Sequence, residues 1–294
     1  MRLLVLGGGG MLGHKLWQVA AEHFEAYATV RGTLAQSSAA RVLDPAQTVE
    51  HVAADRLDRV ASTLDRVRPD VVVNCIGIVK QRPDASDPVL SIAINALFPH
   101  QLAALCRTRG IRLLHVSTDC VFSGQRGNYR ESDRPDPEDL YGHSKLLGEV
   151  SGEGCLTVRS SMIGRELGSA RGLVEWTLAQ DGRTVRGFRR AIFSGLTTLE
   201  LSRVICEVAA RQRDLHGLWH IAAAPISKLD LLHLIRDAYG LNLTIEPADE
   251  PVIDRSLDGE RFRAATGLIA PDWPQMIRDL ANDPTPYGTW GEHS

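Results

Sequence analysis

A chain of 294 residues, 44% hydrophobic and 23% charged, is long enough for one large or two modest domains with a sizeable core. Its formal charge of -3 gives no general attraction to nucleic acid or acidic membranes, and no apolar run is expected to reach membrane-spanning length. The five cysteines (Cys75, Cys106, Cys120, Cys155, Cys206) are odd in number, widely spaced and without a C-x-x-C. That argues against a disulfide framework or zinc site and for a reducing cytoplasm; the scattered histidines give no reason to expect a metal.

The first half alternates strand and helix. RLLVLG (2–7) reads as a buried first strand and not as a signal peptide, because it enters a glycine cluster and an amphipathic stretch. MLGHKLWQVAAEH (11–23) has helical spacing, and AYATVRG (26–32) reads as a second strand. Residues 33–54 are ambiguous, with RVLD (41–44) the candidate for a short strand. RLDRVASTLDRVRP (56–69) is an amphipathic helix stopped by Pro69, and DVVVNCIG (70–77) is a buried strand. Residues 91–110 read as one long helix ending in Gly110, and 111–119 as a strand. The helix holding Tyr141 follows, then CLTVRSS (155–161). Apolar strands alternating with helices indicate an α/β fold, a doubly wound parallel sheet covered on both faces.

The alternation loosens after residue 161. Helices are expected over 172–180, 197–212, 227–240, 255–267 and 272–283, with Ser227 and Asp230 in capping-box spacing. Strands are expected over 217–223 and 242–247, and residues 284–294 read as a loose tail. Residues 1–161 therefore form a nucleotide-binding Rossmann domain, to which 197–224 returns. Residues 162–294 are mainly a smaller α/β portion for substrate.

GGGGMLG (7–13) lies between the first strand and the first helix. Gly7-x-x-Gly10-x-x-Gly13 and Gly8-x-Gly10-x-x-Gly13 both fit dinucleotide-loop patterns. Glycines also make plain turns, but here the cluster follows a strand and opens a helix, whose N-terminus offers N–H groups and a positive dipole end to phosphates. The second strand ends in TVRG with no acid for a ribose hydroxyl, and Arg31 suits a 2′-phosphate, which favours NADPH over NADH. Asp55 is a weaker candidate near the adenine.

STDCVFSG (117–124) stands at the carboxyl end of a later strand, where open parallel sheets bind ligands, so Ser117, Thr118 and Asp119 lie where a substrate would. In LYGHSKLLGE (140–149), Tyr141 and Lys145 are four apart and share a helix face. By itself the pair is either a surface pair or an activated proton donor.

The glycine loop, STD and Y-G-x-S-K in this order resemble the extended short-chain dehydrogenase/reductase superfamily. Within it, the chain is similar to reductases of 4-keto nucleotide sugars of the dTDP-4-dehydrorhamnose reductase type. The resemblance covers nearly the whole chain and includes VVVNCIG, Asn95, LTVRSSMIGRE and DRSLDGERF. NCIGIVKQ departs from the alanine-rich form common at that strand and, with STDCVFSG, is closer to a subgroup of polysaccharide-biosynthesis reductases.

The resemblance implies NADPH-dependent reduction of a 4-keto-6-deoxy sugar on a nucleoside diphosphate. Tyr141 would give a proton to the carbonyl oxygen, Lys145 would favour the phenolate and hold the nicotinamide ribose, and Thr118 would hydrogen-bond the carbonyl. Contacts to the cofactor would come from Gly7, Gly10, Met11, Leu12, Gly13, Arg31, Cys75, Ile76, Gly77, Ser117, Tyr141 and Lys145. Those to substrate would come from Lys80, Thr118, Asp119, Cys120, Arg165 and Arg255, with Gln81 and the arginines of RTVRGFRR (183–190) as further candidates and loop 123–140 as a cover. Cys120 replaces the glutamate of related dehydratases, which argues against dehydration. Three alternatives stay open: an epimerase/reductase using a Cys120 thiol with lowered pKa, an epimerase with tightly held NAD, and an NADP-binding regulatory subunit without turnover. A homodimer is a family-level expectation.

Overall fold

The structure, a computed structural model, describes residues 1–80 and 83–287. The first half runs β1 (Arg2–Leu6), α1 (Met11–Ala21), β2 (Glu25–Thr29), β3 (Thr48–Val49), α2 (Leu57–Val67), β4 (Val71–Asn74), α3 (Pro88–Ser91), α4 (Phe98–Arg107), β5 (Arg112–Ser117), α5 (Leu140–Leu147) and β6 (Cys155–Arg159). The second half adds β7 (Met162–Ile163), α6 (Leu173–Leu178), β8 (Thr184–Phe188), β9 (Ala191–Phe193), β10 (Leu196–Thr197), α7 (Thr198–Arg211) and β11 (Gly217–His220). It ends with β12 (Ile226–Ser227), α8 (Lys228–Tyr239), β13 (Thr244–Ala248), β14 (Ile253–Asp254), α9 (Glu260–Thr266) and α10 (Trp273–Ala281).

Seven strands form one parallel sheet in the order β11-β6-β5-β4-β1-β2-β3. Side chains alternate across a strand, so each apolar strand feeds two cores. Leu3, Val5, Val71, Val73, Leu114 and Val116 pack on one face with α1 and α7. Leu4, Leu6, Val72 and Leu113 pack on the other with Val60 and Leu64 of α2 and Phe98 and Leu102 of α4. Each fully buried side chain of this size stabilises the fold by roughly 1.5–3 kcal/mol. Strand order reverses between β1 and β4, and the crevice at that switch point opens at the carboxyl ends of the strands. Smaller sheets (β13-β8, β12-β9-β14 and β10-β7) build the other wall.

Five expectations are corrected. The short strand lies at Thr48–Val49, not at 41–44: Ser37 caps a 3-10 turn over Ser38–Arg41, and Leu43 is buried behind it. The helix expected over 91–110 starts at Pro88. Pro99 has no N–H for the carbonyl of Asn95, and the ladder widens there into a π-turn over Ile92–Leu97. The continuous helix Pro88–Arg107 is also long and apolar enough to cross a membrane, against the sequence expectation, although its Phe98, Leu102 and Cys106 are spent on the core. The helix expected from 255 begins at Glu260, because Ser256 and Leu257 run extended beside Tyr129. Finally, the tail is not loose through Tyr287: Asp283, Thr285 and Tyr287 dock on α1. Residues 288–294 lie outside the described ones.

Candidate active site

The turn between β1 and α1 is tied to the end of β2 at two points. Gly8 N–H donates to the Thr29 carbonyl at 2.8 Å, and Gly7 N–H to Thr29 Oγ1 at 3.1 Å. A Cβ at position 13 would sit 2.1 Å from the Gly7 carbonyl oxygen, so only glycine lets α1 start this close to β1. Gly10 caps α1 with no side-chain hydrogen bond, leaving the first-turn N–H groups available to an anion. Gly10, Met11 and Leu12 line one end of a cleft of about 670 Å³; Gly7 and Gly13 sit behind them. Cys75, Ile76, Gly77 and Ser117 line its middle. Arg31 is exposed beyond β2 and is not among the cleft-lining residues.

Tyr141, Lys145, Asp119 and Cys120 line the same cleft. The position of α5 is set at three points. Asp139 caps it, accepting from Gly142 N at 2.8 Å, and pairs with Lys80 at 2.5 Å. Gly142 allows close approach, since a Cβ there would lie 2.3 Å from the Cys120 carbonyl oxygen. Asn95, in the π-turn, donates to Ser144 Oγ at 3.2 Å and holds both the N–H and the carbonyl of Ile78 at 2.8 and 3.0 Å. Thr118 follows β5 and comes within hydrogen-bonding reach of the Tyr141 phenol. Its hydroxyl donates to Asp119 at 3.1 Å and accepts from Cys120 N at 3.1 Å.

Burial, then the neighbouring Cys120, pushes the Tyr141 phenol up, with the Thr118 hydrogen bond a smaller opposing influence. The phenol is therefore a protonated donor in the protein as it stands. The expected lowering by Lys145 is not seen: its ammonium is turned to the Val116 carbonyl at 2.7 Å, and burial pulls it down to about 8 against the attraction of Glu149. Asp119 is raised by burial, against the pull of Thr118 and Arg255. Burial, reinforced by Asp119, pushes the Cys120 thiol up to about 11, opposite to the neutral-range thiol that an acid/base role requires. Ser117 Oγ donates at 2.7 Å to Glu149, which pairs with Arg159 at 2.7 Å beneath the cleft.

Of the residues expected to contact substrate, Lys80 and Arg255 line the cleft, and Arg255 Nε donates to the Phe122 carbonyl at 2.8 Å. Arg165 does not line it: its guanidinium pairs with buried Glu175 at 2.8 Å and stacks 4.7 Å over the Tyr287 ring. Arg183, Arg186, Arg189 and Arg190 are exposed outside the lining, and Gln81 lies outside the described residues. Lys228 was not foreseen. It is the first residue of α8 and half-buried, its Nζ lies 5.0 Å over the Phe193 ring, and burial lowers its pKa, opposed by Asp119. Its only sequence mark was the capping box it follows, which indicates a helix start but not what the helix faces.

Residues 1–284 match the family model described as the RmlD substrate binding domain. The chain is 42% identical over 93 residues to a probable low-salt glycan biosynthesis reductase of Haloferax volcanii, a match covering 31% of each chain. It is 36% identical over 154 residues to the dTDP-4-dehydrorhamnose reductase of Mycobacterium tuberculosis, covering 50% of this chain and 44% of that one. The matches thus span less than half the length of these relatives. The fold is similar to that of a dTDP-4-dehydrorhamnose reductase from Bacillus anthracis in complex with NADP, with a TM-score of 0.77 at 19% identity over 95% of this chain and 98% of that one. By the match over nearly its whole length, the chain belongs to the RmlD substrate binding domain family.

Proposed function

We propose that the protein is an NADPH-dependent reductase of a nucleoside-diphosphate-linked 4-keto-6-deoxy sugar, acting in the cytoplasm in polysaccharide or glycoside biosynthesis. The observation that carries this reading is the protonated Tyr141 phenol beside Thr118, in one cleft with the uncapped glycine turn. The Haloferax and mycobacterial relatives are themselves named as reductases.

The residues present fit a dinucleotide. Gly10, Met11 and Leu12 would hold its diphosphate on the N-terminus of α1, and Cys75, Ile76, Gly77 and Ser117 would line its path to Lys145. The bound cofactor supplies the hydride. Tyr141 gives its proton to the carbonyl oxygen, with Thr118 fixing that oxygen. An alkoxide is a far stronger base than a phenolate, so a raised phenol pKa still permits the transfer. Lys145, its ammonium held at the Val116 carbonyl, would hold the nicotinamide ribose. Asp119, Lys80, Arg255 and Lys228, which line the cleft, would hold the sugar and its diphosphate. In this reading residues 1–161 with 197–224 carry the cofactor, and 162–294 mainly the substrate. A second copy of the chain is the partner it takes, seated on the exposed Val89, Ile92, Leu97 and Leu147.

The test is NADPH oxidation against dTDP-, UDP- and GDP-linked 4-keto-6-deoxy sugars. One of them is expected to be consumed, and Tyr141→Phe to lose roughly 10²-fold or more of turnover while still binding NADPH. Tight NADPH binding with no oxidation across the panel would shift the reading to a regulatory subunit. Of the two epimerase alternatives, the one that uses Cys120 is disfavoured by the high Cys120 thiol pKa; cofactor that co-purifies with no net oxidation would favour the one with tightly held NAD.

A further inference from the structure

His14 and Lys15, in the first two turns of α1, are 0% and 2% exposed, and the residues that cover them come from the other end of the chain. Lys15 Nζ pairs with Asp283 at 2.5 Å, both side chains at most 4% exposed, and donates to Thr285 Oγ1 at 2.7 Å. His14 Nδ1 lies 2.8 Å from the Gly10 carbonyl and Nε2 lies 2.9 Å from the Tyr287 hydroxyl. A carbonyl only accepts, so Nδ1 carries the proton and Nε2 accepts from Tyr287. The imidazole is thereby locked between the tail and the residue that caps α1. The Arg165 guanidinium stacks 4.7 Å over the Tyr287 ring, and its partner Glu175 also accepts from Glu166 N at 2.7 Å; Glu166 lines the cleft.

We propose that the segment Asp283–Tyr287 is a positioning strap for the dinucleotide site. Through His14 and Lys15 it fixes the glycine turn from behind, and through Arg165 it ties that turn to the opposite wall of the cleft. Tyr287 and His14 are positioning residues: neither is among those lining the cleft. The energetic logic is preorganisation. An anion site made of backbone N–H groups binds well only if those groups are held in place before the ligand arrives. Gly10 brings no side chain to do this, and the strap supplies the missing constraint.

The inference rests on the dinucleotide reading above, and direct binding separates the two. NADPH affinity is measured by fluorescence titration without any sugar nucleotide, on the full chain, beside thermal melts. Tyr287→Phe keeps the ring under Arg165 and removes only the hydroxyl, which meets His14 Nε2 at 2.9 Å and Asp283 Oδ2 at 3.4 Å. It is expected to weaken NADPH binding roughly three- to tenfold and to raise the KM for NADPH with kcat little changed. Tyr287→Leu, which also removes the stacking, is expected to raise the KM for the sugar nucleotide as well. Unchanged NADPH affinity in both variants, with only a lower melting temperature, would reduce the strap to a stability element and overturn the proposal. Absence of NADPH binding by the unaltered protein would overturn the dinucleotide reading and the strap together.

Discussion

Arg159 and Glu149 show how single residues support chemistry they do not perform. Their side chains are 3% and 12% exposed, they pair at 2.7 Å, and Glu149 also accepts from Ser117 at the strand end. Removing one member of a buried pair strands the other charge in a low-dielectric interior, which costs more than the pair itself is worth. Glu149→Gln is therefore expected to destabilise the protein by about 3–5 kcal/mol, read as a lower midpoint in urea with an unchanged slope; a change under about 1 kcal/mol would mean that water reaches Arg159. The pair was invisible in the sequence, where Glu149 ends the reactive helix motif and Arg159 is one charge within a strand otherwise read as apolar.

At the scale of elements, the site depends on how closely α5 approaches the loop after β5. Gly142 sets that distance. Alanine there would place a Cβ 2.3 Å from the Cys120 carbonyl and 2.7 Å from Pro137 Cβ, and a backbone atom cannot yield as a flexible side chain would. The helix would have to move out by most of an ångström, carrying Tyr141 with it. Misplacement on that scale costs on the order of 10²-fold in rate. Gly142→Ala is expected to lose turnover by that order while NADPH binding, measured by titration, falls far less; equal loss of both would show that the whole cleft had collapsed. The Y-G-x-S-K motif shows this glycine in plain sight. Its reason lies in a loop some twenty residues earlier.

At the scale of the whole molecule, three histidines among the described residues are buried in neutral form. Burial lowers His14 to about 4, despite nearby Asp283, and lowers His115 and His220 as well. In the unfolded chain each would take up a proton near pH 6.5. As pH falls through that value the unfolded state binds protons that the folded state does not, so stability is present above about 6.5 and lost toward 4. His14 alone accounts for about 2 kcal/mol between pH 7 and 5. The melting temperature is expected to fall over that interval, and His14→Gln to flatten part of the fall; a melting temperature independent of pH from 7 to 5 would refute the burial argument.

The sequence by itself determined the parallel sheet, the glycine turn and the cap at Ser227, because each is written in local spacing: period two for strands, period 3.6 for helices, fixed offsets for turns and caps. Thr118, Tyr141 and Lys145 stood out as a set only through the resemblance of their motifs to a known family. Only the tertiary structure decided which cations face the cleft. Arg165 looked like a diphosphate ligand and instead pairs with Glu175, whereas Lys228 passed unnoticed and lines the cleft. It alone brought Asp283 and Tyr287 onto the helix that opens at Met11. Such contacts join residues more than 250 positions apart. They carry no periodic signature, since what sets them is how the packed elements lie against one another.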